Sequence, residues 1–513
     1  MSRPFLLALP LLLLAAACGG GSTEGGPRLV VLYAPCSVNK DFLAPYDGAV
    51  PFTPNLAAFA AEGTVFERHN NEAGQSGCDF AAIFSGVQAD RHGVFCHPKA
   101  LDTGLFQISE AFALEGWDTH FWSGQQMGAF ELGYGQGVPK NQAYTHKYAD
   151  RDAYTATDAR FEAILDRLAD DDDYRAFVQV NFTVTHNPYH KGITNELVEG
   201  FLAAYPQHAS GLTPEELQRY LAIYDENRLP LQWDYEERAQ ALGFTPEDRE
   251  KLARTLEFFY KVRVYELDQC FGKLVALVRE RELLDDSLIA VTADHGEILY
   301  RDNALFQWTH GNQLAPEVLH VPWIVRGPAA GVPAGRYGGV TRSIDVFPTL
   351  CGLADVEVGR SMPVDGVDLA AAVRGDEPPP ALRAFSHTTT IDKRYDKVHV
   401  DTLLRDLNPA DDPTVIWVRV RDGDLIVKHR YLGPVEGFTE EAFDHAADPG
   451  ERTNLFDQDN PLHAELDGEL KAYKKRLLDG YFQNNATALS RSEADARLRA
   501  LGYIGEGDSG TDG

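Results

Sequence analysis

Short unbroken apolar runs alternate with longer stretches of helical periodicity over most of this chain. Leu29-Val30-Val31-Leu32-Tyr33 is rich in β-formers and bounded by Pro27 and Pro35, which predicts a strand buried on both faces. Residues 176–184, 287–292 and 321–325 have the same character. Between these runs lie helix signals. Thr53-Pro54-Asn55 precedes Leu56, Phe59 and Ala60 at helical spacing, and Glu62-Gly63 closes the segment. A second helix is predicted from about Phe80 to Phe84, stopped at Ser85-Gly86. Residues 215–284 are charged and periodic, with breaks near Pro230 and Pro246.

Strands alternating with helices predict an α/β fold, a large mixed and mostly parallel sheet flanked by helices on both faces. Past the linker Asp376-Glu377-Pro378-Pro379-Pro380 the pattern changes. Residues 415–420 and 424–431 alternate as antiparallel strands do, and 461–481 reads as an amphipathic helix. The expected organisation is an α/β domain over 28–375 and a small C-terminal antiparallel-sheet plus helix subdomain over 376–482. A C-terminal helix and Gly/Ser/Asp-rich disordered tail then fill 483–513.

The N-terminus adds a location. Arg3 is followed by an apolar run from Phe5 to Ala17, too short to span a bilayer, and reads as a signal peptide over 1–17. Ala15-Ala16-Ala17 before Cys18 resembles a bacterial lipobox, which implies lipidation of Cys18 and a flexible Gly-rich tether through residue 27. The expectation is an exported lipoprotein in the periplasm or at the cell surface, touching the membrane through its lipid anchor only. The remaining cysteines are Cys36, Cys78, Cys96, Cys270 and Cys351, an odd number. Export permits a Cys78–Cys96 bridge, with buried thiols as the alternative.

The chain carries 77 acids against 47 bases, a formal charge of −30. Such a surface repels nucleic-acid backbones and excludes them as partners. An anionic substrate then needs a local positive spot, most simply a metal ion. The strand ending at Thr292 runs straight into Ala293-Asp294-His295-Gly296. In covered parallel sheets ligands bind beyond the carboxyl ends of strands, so this pair is a candidate site.

Several stretches in order carry a family resemblance: Thr53-Pro54-Asn55 through Phe66, Phe84-Ser85-Gly86 with Arg91-His92-Gly93-Val94, Thr185-His186-Asn187-Pro188-Tyr189, and Tyr265-Glu266-Leu267-Asp268. Thr292 to Glu297, His320 to Pro328, Ser343 to Leu350 and Phe443 to Leu455 complete the set. Together the chain resembles the sulfatase branch of the alkaline-phosphatase superfamily. The resemblance implies a hydrolase acting on a sulfate or phosphate ester of a small molecule or glycan, assisted by a divalent metal. Asp294 and His295 match the family's metal pair, and His310 matches a residue meeting the metal or ester oxygen. His186 matches a residue near the leaving group, able to give it a proton. Glu297 is expected as a first-turn acid of a following helix.

The nucleophile position falls on Ser76, in Gln75-Ser76-Gly77-Cys78-Asp79-Phe80. The Pro and Arg that direct formylglycine formation in sulfatases are missing, so formylglycine is not expected. Ser76 is either a metal-assisted nucleophile or a helix cap. After the first strand, where relatives place aspartates, the chain has Ala34-Pro35-Cys36-Ser37; Asp41 would reach in only through a shifted loop. Zinc suits a thiolate and imidazole, calcium a carboxylate shell, and the sequence leaves the two open. The segment Phe121 to Gln125 lacks the lysine of many sulfatases and looks more like the phosphoglycerol-transferase branch; Lys428 and Arg342 are candidate anion contacts. Two other readings remain: a phosphodiesterase or phospho-group transferase using Ser76, and a catalytically inactive surface lipoprotein.

Overall fold

The computed structural model describes residues 25–95, 98–233, 235–301, 306–311, 314–358, 363–388, 417–431, 438–483 and 487–488. Cys18 with its leader, Cys96 and the 505–513 tail lie outside them.

Every residue of Leu29–Pro35 (β1) is buried. Its alternate side chains enter two different cores, Leu29, Val31 and Tyr33 on one face and Val30, Leu32 and Ala34 on the other. That period of two, apolar on both sides, is why the strand must be covered by helices on both faces. The other strands of the sheet are Thr64–Asn70 (β2), Asp118–Ser123 (β3), Ala143–Thr145 (β4), Ala176–Phe182 (β5), Ser287–Thr292 (β6), Trp323–Arg326 (β7) and Gly335–Arg342 (β8). They form one eight-stranded sheet in the order β4-β3-β5-β1-β6-β7-β2-β8. Only β7 runs against its neighbours, β6 and β2. The expected mixed, mostly parallel sheet is therefore present. Its register pairs Pro35 with Phe182 and Tyr33 with Val291, so β1, β5 and β6 end together on one edge.

Pro54–Ala61 (α1) starts where the sequence places it, but Thr53 does not cap it. Its Oγ1 accepts from Ala44 N (2.8 Å) instead. The first-turn amides of Asn55 and Leu56 donate to the Asp268 carboxylate (3.2 and 2.8 Å) on a distant helix. A cap that comes from elsewhere in the fold leaves no local trace in sequence. Ser76–Ser85 (α2) begins four residues before its predicted start and is buried throughout. It stops at Gly86, whose φ of 66° favours glycine. Residues 215–284 form Pro214–Trp233 (α3), a short helix Tyr235–Ala241, and the 35-residue Pro246–Glu280 (α4). Pro230 stays inside α3 and the bend falls at Asn227, in the turn whose hydrogen bonding the proline disturbs.

The C-terminal unit is a four-stranded antiparallel sheet, Arg383–Thr388, Trp417–Asp422, Leu425–Tyr431 and Phe438–Asp444 in that order. Two of these strands lie outside the predicted segments. Pro461–Gln483 (α5) lays Leu466, Leu470, Tyr473 and Leu477 on Val418, Val420 and Val427. No helix among the described residues is long and apolar enough to cross a membrane.

Candidate functional site

The carboxyl edge of the sheet collects the chemistry. Cys36 follows β1, Gln125 follows β3, His186 follows β5, and Asp294 and His295 follow β6, while the loop after β2 leads to Ser76 at the start of α2. That loop is shaped by Asp79, which accepts from Ala73 N (2.9 Å) and Gln75 N (3.1 Å). Gly74 lets it approach the loop after His310, since a Cβ there would lie 3.1 Å from Gly311 N.

Ser76 is the first helical residue and Gln75 holds the cap position, so the cap alternative for this serine is not what the structure shows. Gln125 Nε2 donates to Ser76 Oγ (2.6 Å), and Ser76 Oγ is 3.1 Å from His295 Nε2 and 3.4 Å from Cys36 Sγ. His295 Nδ1 donates to Gly296 O (2.8 Å), which makes Nε2 the acceptor facing the serine hydroxyl. The Asp294 Oδ1 atom accepts from His295 N (2.7 Å) and Ser37 N (3.2 Å). Its Oδ2 is buried without a hydrogen-bond partner, 3.5 Å from His295 Nε2. Burial holds this carboxyl up at about 7. Burial, then the Asp294 charge, pushes the Cys36 thiol well up.

His310 stacks on His295 with ring centroids 4.0 Å apart, and His186 meets His310 edge-on at 5.0 Å. Each outer imidazole bonds a protein oxygen through Nδ1, His186 donating to Asn187 O (2.5 Å) and His310 sharing a hydrogen bond with Glu297 Oε2 (3.3 Å). Burial lowers both rings to about 3. His186 is thus neutral near pH 7 in the free protein, an acceptor at Nε2 rather than the ready proton donor that a histidine's ordinary titration implies.

The structure brings Ser76, His186, Asp294, His295 and His310 into one group. It does not bring in Asp41, which pairs with Lys40 at the surface (2.5 Å). Lys428 is committed to Glu451 (2.7 Å) and Arg342 to Asp345 (2.6 Å), so neither is an anion contact at this site. Glu297 corrects another expectation. Residues 293–301 after β6 are not helical, and Glu297 is fully buried against His310, its carboxyl pushed up by burial. Gln125 is the contact that sequence reasoning missed. Its only signal was a polar residue two positions beyond a buried strand.

The donor set can be tested for a metal ion. Sγ of Cys36, a carboxylate oxygen of Asp294 and a ring nitrogen of His295 lie within 4.8 Å of one another, all buried. The unpartnered Asp294 Oδ2 is the kind of atom a cation satisfies. Sulfur, nitrogen and one carboxylate fit zinc better than calcium, which takes six or more oxygens. His310 lies outside this cluster, face-on to His295.

A covered mixed sheet with a carboxylate–imidazole pair at a strand end defines an α/β protein of the alkaline-phosphatase and sulfatase type. A family model described as Sulfatase matches residues 37–356, and the chain belongs to the sulfatase family. Choline-sulfatase of Rhizobium meliloti (strain 1021) is 28% identical over 333 residues, 64% of this chain and 55% of the relative. Steryl-sulfatase of Mus musculus is 27% identical over 243 residues, 44% of this chain and 38% of the relative. The chain thus spans about half the length of these curated relatives, or less. Among solved structures, a protein bound to its substrate D-glucosamine-2-N,6-O-disulfate shares the fold with a TM-score of 0.62 at 16% identity, covering 90% of this chain and 99% of that one. The phosphonate monoester hydrolase of Agrobacterium radiobacter does so with a TM-score of 0.55 at 18% identity, over 91% and 98%.

Proposed function

We propose that this chain is a hydrolase of sulfate or phosphate esters that uses an unmodified serine, Ser76, as its nucleophile. The observation that carries this reading is the hydroxyl of Ser76, held between the Gln125 amide (2.6 Å) and His295 Nε2 (3.1 Å) beside Asp294. Gln125 fixes the oxygen's direction, and the amino end of α2 favours negative charge developing on it. Attack on sulfur or phosphorus forms the Ser76 Oγ ester bond and breaks the bond to the leaving alcohol. The serine proton ends on the departing alcohol, because His295 Nε2 and the Asp294 carboxylate are the atoms that would hold a cation. Glu297 positions His310, and His310 in turn supports His295 by stacking. Cys36, Asp294 and His295 would hold a dication, zinc by donor type. Such an ion supplies Lewis acidity that offsets the ester's charge and acidifies the neighbouring hydroxyl.

Turnover of nitrophenyl sulfate and nitrophenyl phosphate, with zinc, calcium or chelator present, tests the reading. Metal-dependent release of nitrophenol is expected, and Ser76→Ala should lower it by at least about a thousandfold. A variant as active as the parent would remove Ser76 from the chemistry. Absence of turnover on both esters with each metal would favour the inactive lipoprotein.

A transferase or phosphodiesterase reading is favoured by one specific feature. Serine gives an ester intermediate that either water or a second alcohol can displace. Added glycerol that diverts product from free phosphate to glycerol phosphate would select it. The setting we infer is outside the cytoplasm, with lipidated Cys18 as the anchor; the apolar run and the Ala15-Ala16-Ala17 lead-in support it. Mass spectrometry of the membrane-extracted protein tests this.

A further inference from the structure

We propose that Arg228 forms an anion subsite that selects esters whose leaving alcohol carries a second negative group, a carboxylate or another sulfate. This rests on the hydrolytic reading above. Arg228 lies on α3, directly after the bend at Asn227. The bend is held from both sides, Asn227 Nδ2 donating to Ile223 O (2.8 Å) and Arg238 Nε donating to Asn227 Oδ1 (2.9 Å). Two flanking residues of α3 tie the helix to the loops of the site. Tyr224, before the bend, accepts from Asn187 Nδ2 (2.8 Å), next to His186. Gln232, one turn after Arg228, donates to Trp308 O (2.6 Å), two residues from His310. Arg228 is therefore placed between the anchors of the two loops whose rings, His186 and His310, are 5.0 Å apart.

Among the described residues its charge is uncommitted. Half-buried, Arg228 makes no hydrogen bond or ion pair with the described residues. Asp225, one turn earlier on the same helix, is taken by Lys191 and by His190 Nε2 (3.1 Å). By contrast the buried Arg263, Arg326 and Arg419 each have a carboxylate partner. Burial lowers His186 and raises Tyr224, and the Arg228 guanidinium lies near enough to both rings for its charge to act on each against the protonated form. In a chain of net charge −30, a cation beside the site with no partner among the described residues is a selective contact for an anion.

Position decides which anion. Contacts run from Ser76 to His295, then His310, then His186, and the helix carrying Arg228 is tied at the His186 end through Tyr224 and Asn187. In-line attack by Ser76 points the leaving oxygen away from the serine, toward that end. The ester group itself stays at the Ser76–Asp294 end, so Arg228 reads a charge on the departing alcohol.

The test compares a nitrophenyl ester with its ring-carboxylated analogue. The wild type should favour the carboxylated ester. Arg228→Met should lose about 10- to 100-fold more kcat/KM on it than on the plain ester, and Arg228→Lys should keep part of the preference. Equal losses on both esters, or none on either, overturn the proposal. A binding arm separates this failure from failure of the hydrolytic reading. In Ser76→Ala protein, calorimetry should show sulfobenzoate binding more tightly than benzenesulfonate, and adding Arg228→Met should erase the difference. That result without turnover keeps the subsite and removes the hydrolase; equal binding of the two probes removes the subsite.

Discussion

Replacing the Cys36 thiol by a carboxylate puts the donor cluster under the most direct strain. Ligand atoms of Cys36, Asp294 and His295 lie within 4.8 Å of one another, so a carboxylate in place of the thiol faces Asp294 at close to that distance. Two like charges 4.8 Å apart repel by about 3.5 kcal/mol at an effective dielectric near 20. Sharing one proton lowers this cost, because burial already holds the Asp294 carboxyl at about 7. Metal-free Cys36→Asp is therefore expected to be less stable than the parent by roughly 2–3 kcal/mol. A dication turns the repulsion into two ionic ligands, and the added hard oxygen moves the preference from zinc toward calcium. An ion present at 100 times its Kd stabilises by about 2.7 kcal/mol, enough to recover most of the loss. Thermal melts of both proteins in chelator, zinc and calcium read this out. The parent should respond to zinc more than to calcium, and the variant should start lower and respond to calcium more than the parent does. Melting of the metal-free variant at the parent's temperature, with no shift from either ion, would refute the cluster as a cation site.

Gln125→Ala removes the donor to Ser76 Oγ (2.6 Å), and kcat should fall about 10-fold while the melting temperature stays close to the parent's; an unchanged kcat counts against the serine's assigned role. Gly86→Ala forces a Cβ at φ 66°, 3.1 Å from the Phe347 ring, and should cost about 1–2 kcal/mol in urea unfolding. Asp268, held at about 6 by burial against an ordinary 3.8, gives a pH signature. Between those values the folded protein keeps a proton that the unfolded chain has released. Its contribution to stability thus falls as pH rises through about 4 to 6, by at most about 3 kcal/mol. Asp268→Asn should flatten that part of the pH profile of the urea midpoint, and identical profiles would contradict the assignment.

Four strands of the main sheet, β1, β5, β6 and β7, were legible because they are apolar runs like Leu29 to Tyr33. By contrast β2, β3, β4 and β8 are short or carry polar and charged residues such as Glu67, Asp118 and Arg336, and left no such signal. The C-terminal sheet was half legible. Arg383–Thr388 carries a charge at its start, and Phe438–Asp444 carries two adjacent acids, Glu440 and Glu441, so neither shows clean alternation. At the site, Ser76, Asp294, His295, His186 and His310 could be named because a strand end or an ordered motif marks each. Gln125 and Glu297 could not, since their roles come from what lies across the sheet edge. Gln125 reaches Ser76 across 49 positions of sequence, and Glu297 meets His310 from an irregular segment after β6 where the sequence predicts a helix.

That irregular segment helps explain how the cluster is assembled with so little charge. It places Glu297 in the interior, where burial favours its protonated form. His186 and His310 are likewise held neutral, and Cys36 keeps its proton in the metal-free protein. Only Asp294 is poised near neutrality. A buried pocket built from neutral groups avoids the desolvation cost of several unpaired carboxylates. It also means that, apart from Arg228 near His186, charge enters the site with its ligands, the cation at Cys36, Asp294 and His295 and the anion beside Ser76. Cation and ester should therefore bind cooperatively, each more tightly when the other is present. Titrating zinc with and without a slowly reacting sulfonate in Ser76→Ala protein measures that coupling directly, and independent binding would mean the site's neutrality has another cause.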